Sequence, residues 1–171
     1  MAGTLGEISP YFTLMNRKVV NDFVKSLLKE EVSNVCPLCG NFEKTGSELT
    51  NHHINHDPSK SVYWNLIRIC AACHEDLTKY KTDGTREKRV KFVKQRLFRN
   101  FFGPAAVSAL KLAYEKEGVT VSPATVKELC DWNFIKVVHP NVLTVGPATN
   151  VATLSTYALT ESGKEMKENL F

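Results

Sequence analysis

The chain has 171 residues, 43% of them hydrophobic and 23% charged, with a formal net charge of +4. Those proportions suit a globular protein with one real core and room for a second small module. Met1 to Leu14 lack a basic start followed by an apolar run, no stretch is apolar for long enough to cross a bilayer, and a cytoplasmic protein without membrane contact is expected.

A first helix is predicted from about Asn16 to Glu31, where Val20, Phe23, Val24, Leu27 and Leu28 fall on one face and Ser33-Asn34 follow as a stop. Val35 to about Tyr80 holds four of the five cysteines and most of the histidines, with few long apolar runs. Short strands and turns fit it, followed by a helix starting near Cys70 or Cys73. About Arg86 to Phe102 reads as a helix with an apolar stripe of Val90, Val93, Leu97 and Phe101, closed by Gly103-Pro104.

Charge is concentrated around that helix. Lys79, Lys81, Arg86, Lys88, Arg89, Lys91, Lys94, Arg96 and Arg99 are opposed only by Asp83 and Glu87, so the segment carries +7 and the remainder −3. A charge run is often just a solvated face. Clustered cations also gain affinity for nucleic acid by releasing its counterions, and these nine residues are expected to contact phosphate.

Beyond Gly103-Pro104, Ala106, Leu110 and Ala113 suit a helix ending at Gly118. Ser122 as cap and Pro123 at the first helical position start another, ending near Trp132. Two β-like segments follow, Phe134 to His139 and about Leu154 to Leu159, separated by a Pro/Gly/Asn-rich stretch. Thr160 caps a last helix with Glu161 in its first turn. The expected division is an N-terminal helical segment (1–34), a metal-bound core with its basic helix (35–102) and a C-terminal module (103–171).

Cys36-Pro-Leu-Cys39 and Cys70-Ala-Ala-Cys73 let two tight turns each offer two thiolates to one ion. A closed set of four thiolates suits structural zinc. A redox site would need a single pair in a βαβ setting, and an odd cysteine count without a leader argues against secreted disulfides. Cys130 stands apart and reads as a small buried hydrophobe.

Between and after the cysteine pairs lie Asn51-His52-His53-Ile54, then Trp64-Asn65-Leu66-Ile67-Arg68-Ile69, then His74 directly after Cys73. Here the sequence resembles the HNH (ββα-metal) nuclease family, whose pattern is an acid or His followed by His and an apolar residue, then Asn-Leu, then C-x-x-C-His. The nine-residue interval from Asn65 to His74 is that of the family's common form. The likeness covers roughly Val35 to Tyr80. It implies a metal-dependent endonuclease that hydrolyses DNA, as in restriction, homing or phage-type enzymes. It makes His53 the general base, His52 and His74 the ligands of a single catalytic metal, and Asn65 the residue tying the loop to the base. Imidazole is the side chain best poised to take a proton from water near neutral pH.

Many relatives have Asp where this chain has His52, though the nuclease colicins also have His-His. Two imidazoles without a carboxylate lean toward Zn²⁺, Ni²⁺ or Mn²⁺ rather than Mg²⁺ alone. The colicin-type third His, one turn after His74, is replaced by Thr78. His56 reads as a surface loop residue, His139 as structural or solvated, and Trp64 as core. The C-terminal module resembles a winged-helix domain through Leu159-Thr160-Glu161-Ser162-Gly163 leading into the last helix. Its recognition helix, around Ser122 to Trp132, has Lys127 as its one cation.

The expected architecture is therefore α+β: a zinc-bound ββα-metal core, flanking helices and a winged-helix-like module. The rival readings are a DNA-binding regulator that does not cut and an adaptor in which metal only holds the fold. A homodimer would make paired cuts natural, but no dimer surface is legible.

Overall fold

The computed structural model describes residues 19–144 and 151–171. Residues 16–18 of the first expected helix and the Pro/Gly/Asn-rich stretch at 145–150 lie outside the described residues.

Asn21 sets where the first helix begins, later than the periodicity suggests. Its side chain accepts the Phe23 N–H at 2.9 Å and starts α1 (Asp22–Val32), satisfying a donor the helix itself leaves open. Ser33 (φ 47°) and Asn34 (φ 64°), both left-handed, end it. Residues 35–49 form the first cysteine turn, in which Cys36 N–H donates to Asn41 O and Gly40 N–H to Cys36 O, each at 2.8 Å. Gly40 sits at φ +78°, a conformation that costs a side-chain-bearing residue more than glycine.

Strands β1 (Thr50–His53) and β2 (Leu66–Ile69) pair antiparallel, with His52 opposite Ile67 and His53 opposite Leu66. Helix α2 (Ala71–Lys79) follows at once, with Cys70 as its N-cap residue. The chain therefore runs strand, loop, strand, helix, with the second C-x-x-C at the helix start. Asp83 caps α3 (Gly84–Phe102) through the Thr85 N–H, and α4 (Pro104–Glu115) leaves it at Gly103-Pro104.

The remaining elements are β3 (Val119–Val121), α5 (Pro123–Asp131), β4 (Ile135–Thr144), β5 (Val151–Leu159) and α6 (Glu161–Leu170). The three strands form an antiparallel sheet in the order β3-β5-β4. Strand β3 was not expected. The predicted helix stops at Glu115 instead of reaching Gly118, and β-branched Val119, Thr120 and Val121 pair with Tyr157, Thr156 and Ser155. The pairing partner lies more than 30 residues away, out of reach of a local pattern. The chain is mixed α and β, and no helix among the described residues is long and apolar enough to cross a membrane.

One apolar cluster joins Leu27 and Leu28 of α1, Tyr63, Trp64 and Leu66 before and on β2, Phe98 and Phe102 of α3, and residues of α4, α5, β4, β5 and α6. It crosses both expected boundaries, at 34/35 and at 102/103. A second cluster, with Cys36, Leu49, Ile54, Ile67, Ile69, Cys70, Leu77, Val90 and Val93, lies under the cysteines. Helix α3 serves both, and its buried stripe differs from the one expected. Val90 and Val93 are buried as predicted, but Lys94, Phe98 and Phe102 take the inner positions while Leu97 and Phe101 are only half-buried.

Candidate metal centre and histidine cluster

The Sγ atoms of Cys36, Cys39, Cys70 and Cys73 all lie within 4.8 Å of one another, and Cys39 and Cys70 are 3.6 Å apart. Four sulfurs at zinc–thiolate bonds of about 2.3 Å stand about 3.8 Å from each other in a tetrahedron. The four cysteines fit a metal such as zinc. Burial would raise the Cys36 thiol, but N–H groups of Cys70, Leu38 and Cys39 outweigh it and bring its pKa to about 7. Cys73 is driven up, first by burial and then by neighbouring thiols. A lowered Cys36 beside raised Cys39 and Cys73 is what crowding of thiols produces before a cation neutralises the set.

Strand β1, the loop after it and helix α2 bring three histidines together. His52, 4% exposed, lies beneath the loop. Its ring meets His74 edge-on at 5.1 Å between centroids, and meets His56 in the same manner, also at 5.1 Å. Strand β1 supplies the first ring, α2 the second and the loop the third. Burial, then the neighbouring His74, His56 and His53, depress the His52 pKa to about 4, so its ring is neutral at physiological pH. Among the described residues, the four cysteines are the one set of three or more metal-ligating side chains drawn within 4.8 Å of each other as they stand.

His53, next on the strand, is half-buried, with Nε2 at 3.2 Å from Ser61 Oγ. Asn65 is fully buried. Its Oδ1 accepts the Asn55 N–H at 3.1 Å and its Nδ2 donates to Lys60 O at 3.0 Å, so one side chain pins both ends of the 55–60 loop. That loop is built on itself: His56 N–H donates to His53 O at 3.0 Å, Asp57 N–H to Asn55 Oδ1 at 2.9 Å, and the Ser59 N–H and hydroxyl to Asp57 Oδ1 at 2.9 and 2.6 Å.

The expected basic surface divides. Lys79, Lys81, Lys88, Arg89, Arg96 and Arg99 are exposed and Lys91 is half-buried. Arg86 is partly committed, paired with Asp76 and Asp83 and lying over the Tyr80 ring. Lys94 is the correction. It is fully buried against Glu31 of α1, so it cannot reach phosphate. A lysine on a helix surface otherwise lined by cations looks alike in sequence whether it faces in or out.

His56, read from the sequence as a surface loop residue, does lie in the loop, but it is half-buried and its ring meets His52. The available signal was its spacing, four residues after His52, together with the Asn55–Asp57 turn that folds the chain back. His139 is exposed on β4, Trp64 is buried in the core, and Cys130 is half-buried with its pKa raised by burial and by Asp131. No protein family, curated protein or solved structure matches the chain.

Proposed function

We propose that the protein is a metal-dependent endonuclease of the HNH type, hydrolysing phosphodiester bonds in DNA. The observation that carries this reading is the meeting of His52 from β1 and His74 from α2 at 5.1 Å. His53 stands next on the strand, and a C-x-x-C pair fixes the start of α2. A metal–nitrogen bond of about 2.1 Å puts a ring centroid about 3.2 Å from the ion, so two rings on one ion stand about 4.5 to 5.2 Å apart for angles of about 90 to 109°. His52 and His74 fit one divalent ion on that measure.

The chemistry such an ion supplies when bound is relief of charge at the phosphate and at the departing oxygen. The chain's own residues supply the rest. His53 takes the proton of a water that attacks phosphorus, the P–O bond to the leaving sugar breaks, and that oxygen gains a proton from solvent. Asn65 acts on this step through position, holding the loop that carries Ser61, the partner of His53. The exposed cations of α2 and α3 hold the phosphodiester backbone. The C-terminal module, read as winged-helix-like, contributes less to phosphate binding, because Lys127 of α5 is already paired with Asp131 at 2.6 Å.

The test is incubation of supercoiled plasmid with Mg²⁺, Mn²⁺ or Ni²⁺, comparing wild type with His53→Ala. Expected are cutting by the wild type, loss of cutting in the variant, and retained DNA binding with a salt dependence that weakens as Arg89, Arg96 or Arg99 is replaced by Ala. Binding by the wild type without cutting would make the protein a regulator instead. Neither activity would leave an adaptor.

A further inference from the structure

We infer that His56 is a third imidazole ligand of the metal bound by His52 and His74, supplied by the loop rather than by α2. The inference rests on the reading that this histidine cluster binds a divalent ion, and it extends that reading to the coordination sphere and to the kind of ion accepted.

Two relationships of the buried ring carry it. His52 has one neighbour in His74 and another in His56, at the same centroid separation of 5.1 Å and with nearly perpendicular planes, 89° and 82°. Each separation from His52 falls in the range expected for two rings sharing an ion; the ligand nitrogens of the three rings do not yet lie within 4.8 Å of one another, so side-chain rotation of His56 and His74 toward each other is part of the inference. The loop is also shaped to keep His56 there. His56 adopts φ +58°, a left-handed conformation uncommon outside glycine but open to histidine and asparagine. The Asn55 and Asp57 side chains and the Asn65 clamp fix the turn. On α2, by contrast, the position one turn after His74 offers no ligand, for the Thr78 hydroxyl donates to His74 O at 2.8 Å.

Three imidazoles without a carboxylate favour a borderline ion such as Ni²⁺, Co²⁺ or Zn²⁺ over Mg²⁺. At least one position on such an ion would remain for a phosphate oxygen or water.

The experiment is calorimetric titration of nickel(II) into protein already carrying one zinc per chain, with zinc content measured again afterwards. Wild type is compared with His56→Asn and His74→Ala. Asparagine tolerates the left-handed backbone, so His56→Asn removes the ring while keeping the turn. A melting curve matching wild type confirms that it folds. Expected are one nickel per chain for wild type and affinity at least tenfold weaker in both variants. Wild-type affinity in His56→Asn beside weakened binding in His74→Ala would overturn the assignment and leave the nuclease reading untouched. Failure of the wild type to bind nickel would overturn it as well. Nickel binding lost in His56→Asn, in a protein that does not cut plasmid, would support the ligand while removing the hydrolytic reading.

Discussion

Lys94 Nζ stands 2.6 Å from Glu31 Oε2, with both side chains wholly buried between α1 and α3. The Tyr63 hydroxyl donates to the other oxygen of the same carboxylate, and the ammonium lies 3.5 Å from the Tyr63 ring centroid. Burial pulls the Lys94 pKa down, against the pull of Glu31. Burial and then the charge of Glu31 push the Tyr63 phenol well up. The three groups satisfy one another where water cannot.

Removing one member therefore costs more than the pair contributes. Lys94→Met leaves a buried carboxylate without its cation, and such a break costs about 3–5 kcal/mol. Adding Glu31→Leu should recover part of that loss, because the stranded charge goes with it. Urea unfolding of the single and double variants checks this. A single variant within 1 kcal/mol of wild type on the scale of ordinary surface changes would show that the pair is not desolvated. A folded Lys94 variant should bind DNA with unchanged salt dependence, which separates it from its exposed neighbours on α3.

Metal removal should unfold the first half of the chain before the second. The cluster beneath Cys36 and Cys70 is small, with ten buried residues, and its two cysteine turns hold the ends of the ββα unit together. Binding of structural zinc is folding free energy in such a unit. One zinc per chain is expected in the purified protein and none in Cys36→Ser. Chelation should loosen amide protection in β1, β2 and α2 first, while α4 to α6, anchored in the other cluster, outlast them. Uniform loss of protection along the chain would contradict this order in hydrogen exchange.

Gly163 separates a steric requirement from a conformational one. A Cβ added there would meet Phe134 O at 2.0 Å, a backbone atom that cannot step aside. The same carbonyl accepts the Thr160 N–H at 3.1 Å, and Thr160 Oγ1 caps α6 by accepting the Gly163 N–H at 3.1 Å. Gly163→Ala should cost about 1–3 kcal/mol, the usual range for overpacking. Gly84 at the start of α3 has nothing within 4 Å of its added Cβ, so Gly84→Ala should be neutral or stabilising by up to about 1 kcal/mol. Paired thermal melts test both, and equal shifts would defeat the argument.

The sequence shows most clearly what is local. Thr160, Pro123 and Gly103-Pro104 mark helix ends by their own chemistry, and α5, α6 and the end of α3 lie where those residues place them. Cys36, Cys39, Cys70 and Cys73 announce a shared site because two C-x-x-C turns have few other uses. What stayed hidden depends on partners far along the chain. Strand β3 forms because β5 returns to it, and Lys94 is internal because Glu31 and Tyr63 wait beneath it. His56 was hidden differently. Its turn was legible, but its direction, back over His52, follows from the Asn65 clamp, which only the fold brings to the loop.

The neutral ring of His52 gives stability a definite dependence on pH. Its pKa is about 4 in the folded protein, lowered from 6.5 by burial and by His74, His56 and His53. Below pH 6.5 the unfolded chain takes up a proton that the folded one refuses, so acid favours unfolding. The contribution of this group is complete above about pH 6.5, declines as pH falls toward 4, and has nothing further to lose below that. Urea midpoints measured from pH 7.5 to 4, without added divalent ions, should fall more steeply for wild type than for His52→Gln. The cysteine site also releases its metal in acid, but it does so in both proteins, so the difference between the two curves isolates the histidine. Parallel curves would mean that His52 is solvated. In that case, His52 would not be the buried ring that meets His74, and the case for a metal between them would fall with it.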